Sequence, residues 1–395
     1  MTDKIYNIPA GCAFAEVLAG HFLREYHGRE LELTDVLFLL PNRRAVKALK
    51  DAFVRLQGLA PTLLPQMLPI GDVEEDELFL TGFDQSSALA TLAPAISRAE
   101  RLLLFTKIIM AKPIEYGIEK LAANQACYLA QELANLIDTV HNQGLSFDRL
   151  TDLVPEEYAV HWQETLKFLQ IITEYWPQIL AERQLIDASD RRNRLLRAQI
   201  DLWRQNPPVK RIVAAGTTAA FPLMKELVKT VLSLEKGELY LAGIDKFLED
   251  EAWEKIDETH PQHELKELLD YLTVRREDIP DLQAPENFGR EVLISEVMRP
   301  AATTEKWRDI AGKKIRHEAA DGITLVNCAD MREEALTIAL LLREAVETPE
   351  KTAALVTGDR NLARRVAAEL ERWNLKVDDS AGKPLALTPL GICLL

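Results

Sequence analysis

The stretch that most restricts the possible folds of the chain is 36–53, VLFLLPNRRAVKALKDAF. It begins with a short apolar run and continues with the apolar spacing of an amphipathic helix. The run VLFLL has no polar residue, as a central strand of a parallel sheet requires when helices cover both of its faces. A proline ends the run, and Val46, Leu49 and Phe53 then recur at helical spacing. This stretch therefore predicts a buried strand, a sharp turn and a helix that packs on the sheet.

The turn of this unit carries three polar residues, Asn42, Arg43 and Arg44, with Lys47 one helical turn further on. They follow the carboxyl end of the predicted strand, which is where open α/β sheets bind their ligands. Two interpretations stay open for these residues: a ligand-binding edge, or a basic and solvent-exposed first turn of a helix.

Strand–helix alternation recurs in the chain and predicts an α/β fold with a parallel sheet. A strand in KIYNI at 4–8 leads through a turn into a helix. Further along, a strand and turn at 210–218, a helix at 221–234 and a strand at 238–243 repeat the pattern. Helices at 247–256 and 263–274 are expected to follow.

The turn at 9–13 is where a nucleotide-binding sheet would hold phosphate, but its residues do not suit that task. A phosphate loop needs several glycine N–H groups, a lysine and a Ser or Thr hydroxyl. The turn offers one glycine, Gly11, followed by Cys12 and Ala13, and no G-x-x-x-x-G-K-[ST] motif occurs in the 395 residues. The strand that should end in a magnesium-binding Asp instead runs into Ala215 and Gly216. We therefore expect a degenerate nucleotide site.

The strand pattern stops after an acidic segment at 72–77, and a helical block extends to about residue 205. Ser97 and Glu100 have the spacing of a capping box at the start of its first helix. Because the block lies between strand units of one sheet, we expect a domain inserted into a loop. Three further helices are expected, at 119–141, 156–183 and 190–204. The last of them carries a basic cluster that either faces solvent or contacts a phosphate backbone, Arg191, Arg192, Arg194 and Arg197.

A second α/β unit is predicted after residue 320. Its strands are expected at 323–327, 353–357 and 375–378, and its helices at 331–347 and 359–373. The sequence stops within an apolar, helix-like stretch, and we expect that the chain is the first part of a longer protein.

Charge and composition argue against several classes of protein. The net charge of −15 repels polyanions at long range, which argues against a general nucleic-acid coat protein but leaves room for a local basic groove. The four cysteines are far apart and form no CxxC pair, so we expect reduced thiols. His260 and His263 flank a proline and indicate the start of a helix, not a metal site. No signal peptide or membrane-spanning segment is visible, and we expect a cytoplasmic protein without membrane contact.

Six segments of the chain, taken in order, resemble segments of a known protein family. They are LFLLPNRRAVKALKDAF, LPQMLPIGDVEEDEL, HPQHELKELLDYL with VRRED, ITLVNCADMREEALTIALLLRE, AALVTGDRNLARRVAAELERW and VDDSAGKPLALTP. The set resembles the AddB subunits of AddAB helicase–nucleases, in the form found in alphaproteobacteria. The resemblance runs along nearly the whole chain and covers only the amino-terminal part of such a subunit.

The resemblance implies a UvrD-type helicase architecture. Residues 1–75 and 206–300 would form a RecA-like first domain, 76–205 an inserted helical subdomain, and 301–395 an incomplete second RecA-like domain. A carboxy-terminal PD-(D/E)xK nuclease domain, with an iron–sulfur cluster and magnesium, is implied only for the rest of the parent protein. No catalytic residue, metal ligand or cofactor is therefore expected in this chain. Some AddB subunits keep an intact phosphate loop, and the turn at 9–13 departs from them.

The LLPNRRA segment matches the position where such helicases contact single-stranded DNA. The resemblance thus implies that Arg43, Arg44 and Lys47 approach DNA phosphates while Asn42 shapes the turn.

The function expected from the resemblance is that of a non-catalytic, helicase-like scaffold in DNA double-strand break repair and recombination. It would bind and guide DNA, as a single strand or a duplex end, beside an AddA-like motor subunit, within an ATP-dependent exonuclease that responds to a hotspot sequence. Two alternatives stay open. One is a nucleotide hydrolase with an unconventional site built from Asp245, Asp330 or Asp359. The other is a protein-interaction module without DNA contact.

Overall fold

The computed structural model describes residues 2–58, 63–70, 92–111, 121–147, 168–312, 317–382 and 384–394. The expected acidic segment 72–77 and the first part of the helix expected at 156–183 lie outside these residues. The chain divides into two units, Met1–Ala319 and Ala320–Leu395.

A five-stranded sheet forms the centre of the first unit. Its strands are β1 (Ile5–Ile8), β2 (Val36–Leu40), β3 (Gln66–Pro69), β4 (Arg211–Ala215) and β5 (Gly237–Ala242). They lie in the order β1-β5-β4-β2-β3, and every pairing is parallel. The predicted α/β class with a parallel sheet is therefore confirmed. The short strand β3 was not predicted, because four residues that end in a proline carry little pattern of their own.

Helices supply the crossovers that parallel strands need. In the first unit they are α1 (Phe14–Glu25), α2 (Arg43–Gln57), α3 (Arg98–Ala111), α4 (Ala123–Asn142), α5 (Trp176–Arg183), α6 (Ala188–Gln205), α7 (Pro222–Ser233), α8 (Asp250–Glu254), α9 (His263–Leu272) and α10 (Phe288–Val297). A π-helical turn, Ile171–Tyr175, leads into α5, and 3-10 turns occupy Glu30–Asp35 and Ala301–Gly312. Most bounds lie close to those predicted, but α8 is shorter than the helix expected at 247–256, and α10 was not predicted.

Strand β2 shows how the sheet is buried on both faces. All five of its residues are buried. Val36, Phe38 and Leu40 pack on one face in a cluster with side chains of α1 and α2. Leu37 and Leu39 pack on the other face with side chains of α6 and α7. The uninterrupted apolar run of the sequence is therefore explained, because alternate residues serve two separate cores.

A buried arginine ties the amino-terminal end of the sheet to a helix. Arg211, the first residue of β4, donates hydrogen bonds to Glu25 of α1 at 2.6 Å and to both carboxylate oxygens of Glu238 in β5 at 2.8 Å. Its guanidinium also lies 4.7 Å from the ring centre of Phe22. Burial, followed by the charge of Glu238, raises the pKa of the neighbouring Tyr240. Because the charges of Arg211, Glu25 and Glu238 pair with one another, this cluster has a structural role at the amino-terminal end of the sheet.

The helical block has its own core and also shares one with the sheet. Phe105 and Trp176 meet inside the block, with ring centres 4.2 Å apart. Helix α6 sends Trp203 into the core beneath the sheet. The expected capping box at the start of α3 is only half formed: the Ser97 hydroxyl accepts a hydrogen bond from the Glu100 N–H, while the Glu100 carboxylate pairs with Arg183. The block therefore packs directly against the sheet.

The second unit differs from its prediction. Helices α11 (Met331–Glu347), α12 (Arg360–Glu371) and α13 (Pro389–Leu394) are present, and the first two match the expected ranges closely. The strands expected at 323–327, 353–357 and 375–378 are wrong, because none of these residues pairs in a sheet. Leu325 is 85% exposed and Val356 is 93% exposed. An apolar run becomes a strand only when a neighbouring strand is present, and the local pattern does not supply that neighbour.

The boundary between the units also lies further along the chain than the expected division at residue 300. The first unit continues to Ala319. Lys306 pairs with Glu249 at 3.1 Å, and the Trp307 indole donates to the Glu296 carbonyl at 2.9 Å. These contacts hold the segment after α10 to the first unit. Within the described ranges, none of the helices combines the length and the apolar character needed to cross a membrane.

The burial of β2 leads to a test of the core. Phe38 has no exposed surface and lies 4.8 Å from Phe22 and 6.3 Å from Phe53, measured between ring centres. We expect Phe38→Ala to lower the free energy of unfolding by about 3–5 kcal/mol, because it leaves a cavity between helices and sheet. Urea titration gives the measurement. Val54→Ala removes an apolar side chain that is 50% exposed and should change stability by less than about 0.5 kcal/mol. Equal losses in the two variants would contradict the assigned core.

Candidate functional site

The carboxyl ends of the parallel strands meet at one edge of the sheet. The turn after β1 holds Gly11, the turn after β4 holds Gly216, and the turn after β2 holds Asn42. We call this the carboxyl edge. The residues assigned from the sequence to a degenerate nucleotide site lie at this edge, and so does the turn with Asn42, Arg43 and Arg44.

Asn42 fixes the point at which α2 begins. Its backbone is extended, and its side-chain oxygen accepts a hydrogen bond from the Ala45 N–H at 2.9 Å. This is the N-cap arrangement for which Asn is strongly preferred, because it satisfies one of the free N–H groups at the start of a helix. Asn42 is therefore the N-cap of α2 and sets the geometry of the turn after β2.

Basic side chains follow this cap on the exposed surface of α2. Arg43, Arg44, Lys47 and Lys50 are all exposed. Arg43 and Lys47 are four residues apart and Lys47 and Lys50 three apart, so these three share one face of the helix. The first turn holds no acidic residue. The positive end of the helix dipole therefore lies beside the charges of Arg43 and Arg44. We call Arg43, Arg44, Lys47 and Lys50 the basic face of α2.

The turn after β1 is occupied by a carboxylate of the same chain. The Gly11 N–H donates a hydrogen bond to Oε1 of Glu291, a residue of α10. Cys12 is buried, with its sulfur 3.7 Å from the Ala284 carbonyl, and Ala13 caps α1 without a side-chain hydrogen bond. Glu291 is thus the acceptor that satisfies the Gly11 N–H in this turn.

The segment before α10 brings Glu291 to this position. It runs beside β1, where the Asn7 N–H donates to the Pro280 carbonyl at 2.9 Å and the Leu282 N–H donates to the Asn7 carbonyl at 2.8 Å. The Asn7 side chain also donates to Asp281 at 2.7 Å. These bonds cover the free edge of the sheet and hold the chain across the turn after β1.

The turn after β4 is filled by an aromatic ring. Ala215 is fully buried, and Gly216 has φ +66°, a conformation that glycine adopts easily. A Cβ atom on Gly216 would lie 3.3 Å from the ring of Phe14 and 4.0 Å from Cδ of Pro41. The ring of Phe14 therefore packs beside Gly216 in this turn. The local sequence pattern does not indicate this contact, because the two residues are far apart in the chain.

The three aspartates considered for an unconventional site are all structural caps. Asp245 accepts hydrogen bonds from the N–H groups of Phe247 and Leu248. Asp359 accepts from the N–H of the second residue of its helix. Asp330 caps α11, and hydrogen bonds from the backbone N–H groups there lower the pKa of its carboxyl. The structure gives each carboxylate a local partner and does not bring all three together in one unit.

The other candidates for chemistry also have structural roles. His260 bonds the Met298 carbonyl through Nε2 and accepts from the Gln262 N–H through Nδ1, just before His263 opens α9. None of the four cysteines forms a disulfide, as expected. In the part of the chain that the structure describes, no group of three or more His, Cys, Asp or Glu side chains could hold a metal ion.

The basic cluster of α6 is divided by the fold. Arg191 is buried and bonds the carbonyls of Leu92 and Ala93, while Arg194 forms two hydrogen bonds with Asp190. Two members of the cluster are therefore committed to the protein itself. Arg192 and Arg197 line separate cavities.

Comparison of the chain with protein-family models and with curated proteins gives no match. The functional argument therefore rests on the residues and geometry of the carboxyl edge.

The contact between Glu291 and Gly11 can be tested directly. We expect Glu291→Ala to raise the hydrogen-exchange rate of the Gly11 amide, because the N–H loses its acceptor. Glu291→Gln keeps an acceptor oxygen and should keep most of the protection. NMR measures both rates, with the Gly28 amide, which donates to Glu30 at 2.8 Å, as an internal control. An unchanged Gly11 rate in Glu291→Ala would show that the carboxylate does not occupy this turn.

Proposed function

We propose that this chain is a non-catalytic, helicase-like scaffold that binds and guides DNA during double-strand break repair, as part of an AddB-type subunit. The observation that carries the proposal is a contrast along one edge of the sheet. The basic face of α2 is exposed there, while the two turns that a nucleotide would need are occupied by Glu291 and Phe14.

The proposed architecture is of the RecA-like helicase type. Its support is the parallel sheet, in which β1 and β4 end at the same edge with only β5 between them. A helical block lies between β3 and β4 in the chain, as an inserted subdomain would. The second unit would be part of a second RecA-like domain by its place in the sequence alone, because its described residues form no strand.

The proposal that the scaffold does not use ATP rests on three observations. The Gly11 N–H already bonds a carboxylate, the Phe14 ring packs where Gly216 turns, and Ala215 brings no charge to the tip of β4. Phosphoryl transfer depends on positioned cations and hydrogen-bond donors around the phosphates. ATP-driven movement is therefore assigned to the partner, an AddA-like motor subunit.

The proposed DNA contact is local and electrostatic. The chain carries a net charge of −15, but screening at physiological salt limits the reach of distant charges to about 8 Å. Four cationic side chains at the start of one helix can therefore attract a phosphate backbone although the protein as a whole is acidic. Such contacts position DNA without reading its sequence, which suits a guiding role.

Pairing with a partner subunit has support from the second unit. It exposes several large apolar side chains, Ile323, Leu325, Val326, Val356 and Val377. Exposed apolar groups in such number are typical of surfaces that another protein covers. This observation also favours the second candidate function, a protein-interaction module. In either case we propose a cytoplasmic location, and the nuclease chemistry, iron–sulfur cluster and magnesium belong to the rest of the parent protein.

The DNA contact is tested by charge reversal on α2. We expect Arg43→Glu/Arg44→Glu to weaken binding of a short single-stranded oligonucleotide without terminal phosphates by at least about tenfold, because attraction becomes repulsion at the phosphates. Fluorescence anisotropy measures the affinity. Lys236→Glu/Lys255→Glu makes the same change in net charge at exposed positions away from α2 and should have a much smaller effect. If both pairs weaken binding equally, or if the wild-type chain binds no DNA, the interaction module is the better account.

Loss of the nucleotide site is tested separately. We expect no magnesium-dependent ATP hydrolysis by the purified chain. Neither Ala13→Lys nor Ala215→Asp should create it, because Glu291 and Phe14 still occupy the two turns. A phosphate-release assay gives the rate. Hydrolysis by the wild-type chain that responds to either substitution would overturn the non-catalytic proposal.

A further inference from the structure

A cavity of about 540 Å³, lined by both apolar and polar side chains, lies in the helical block among α3, α4 and α6. Its volume is within the range of small-molecule sites. The polar side chains that line it are mainly arginines and amides: Arg98, Arg101, Arg192, Gln131, Asn135 and Asn142. None of these residues lies at the carboxyl edge, so the cavity is separate from the proposed DNA contact.

One of the three arginines, Arg101, forms hydrogen bonds with residues that line the cavity. Arg101 is buried and donates to Asp138 at 2.9 Å and to the Ala134 carbonyl at 2.8 Å. It also lies 3.2 Å from Asp187, which accepts a hydrogen bond from the Trp176 indole. Burial, opposed by the charge of Arg101, raises the pKa of Asp187. Arg101 is therefore shared between two carboxylates, Asp187 and Asp138, and the second of these lines the cavity.

The other two arginines have no acidic partner. Arg192 donates to the neutral side-chain oxygen of Asn142. Arg98 forms no hydrogen bond or ion pair with any residue that the structure describes. Three arginines therefore stand against two carboxylates, Asp138 and Asp187, and the cavity keeps an excess of one positive charge. Arg98 is exposed and Arg192 is half-buried, so both guanidinium groups are open to an anion in this space.

The helices add to this positive character. Arg98 is the first residue of α3, and Ala188 and Ser189, which also line the cavity, open α6. Two helix amino termini thus reach the same space, where backbone N–H groups favour an anion, while Glu100 in the first turn of α3 and Asp190 in the first turn of α6 offset part of the helix dipole. The Gln131 and Asn135 side chains offer further polar groups on the wall formed by α4.

From this arrangement we propose that the cavity binds a phosphate group, held by Arg98 and Arg192. Guanidinium groups match phosphate oxygens with paired hydrogen bonds, and the space is large enough for the group to which the phosphate is attached. That group is either a free nucleotide or the phosphorylated end of a DNA strand, and the two share the same recognition chemistry. The proposal does not rest on the DNA contact of α2, because it uses different residues.

The test is calorimetric titration of the whole chain with inorganic pyrophosphate. We expect saturable binding that weakens as salt increases, and Arg98→Ala and Arg192→Ala should each weaken it about tenfold by removing one charged donor. Arg98→Ala is the cleaner variant because the described residues give Arg98 no partner to lose. Arg197→Ala removes the same charge from the same helix outside this cavity and should leave the affinity within about twofold.

Two further titrations identify the source of the phosphate. Binding of ATP that depends on Arg98 indicates a nucleotide, whereas a preference for a 5′-phosphorylated over a 5′-hydroxyl oligonucleotide indicates a DNA end. Absence of pyrophosphate binding by the wild-type chain overturns the proposal. So does equal weakening by Arg197→Ala, since the effect would then be one of general charge. Either result leaves the test of Arg43 and Arg44 unaffected.

Discussion

Burial of both faces of one parallel sheet is the constraint on which the first unit depends. Each strand sends alternate side chains into two cores, so helices must pack above and below, and crossovers must connect the strands in one direction. The same geometry brings every strand's carboxyl end to one edge. The positions of Asn42, Gly11 and Gly216 follow from that arrangement and not from any direct interaction among them.

At the carboxyl edge, groups from elsewhere in the chain complete two of the turns that follow the strands. Backbone N–H groups in a turn at the end of a strand need an acceptor, and Glu291 supplies one from within the chain. Protein interiors are closely packed, and the Phe14 ring packs against the turn at Gly216. Both contacts satisfy requirements of folding, and the proposed absence of ATP use rests on them. The cap at Asn42 and the exposed arginines that follow it are independent of these changes.

Local sequence patterns could predict most of the first unit but less of its site. The VLFLL run, the cap at Asn42 and the spacing of apolar residues in α2 depend on neighbours in the chain, and the structure agrees with them. The contact of Glu291 with Gly11 joins residues far apart in sequence, and no pattern indicates it. The same limit explains the errors in the second unit, where apolar runs such as 323–327 have no partner strand. The division of the basic cluster of α6 into buried, paired and cavity-lining arginines also required the packing of α6 against its neighbours.

The central claim is that the basic face of α2 lies along the path of a DNA strand. Photo-crosslinking with single-stranded DNA that carries 4-thiothymidine, followed by peptide mapping, tests this contact most directly. We expect the crosslinks to be concentrated in the peptide that contains Asn42, Arg43, Arg44 and Lys47. Unlabelled DNA should suppress them. If DNA at a saturating concentration crosslinks only to other parts of the chain, the basic face of α2 does not lie along the path of the strand.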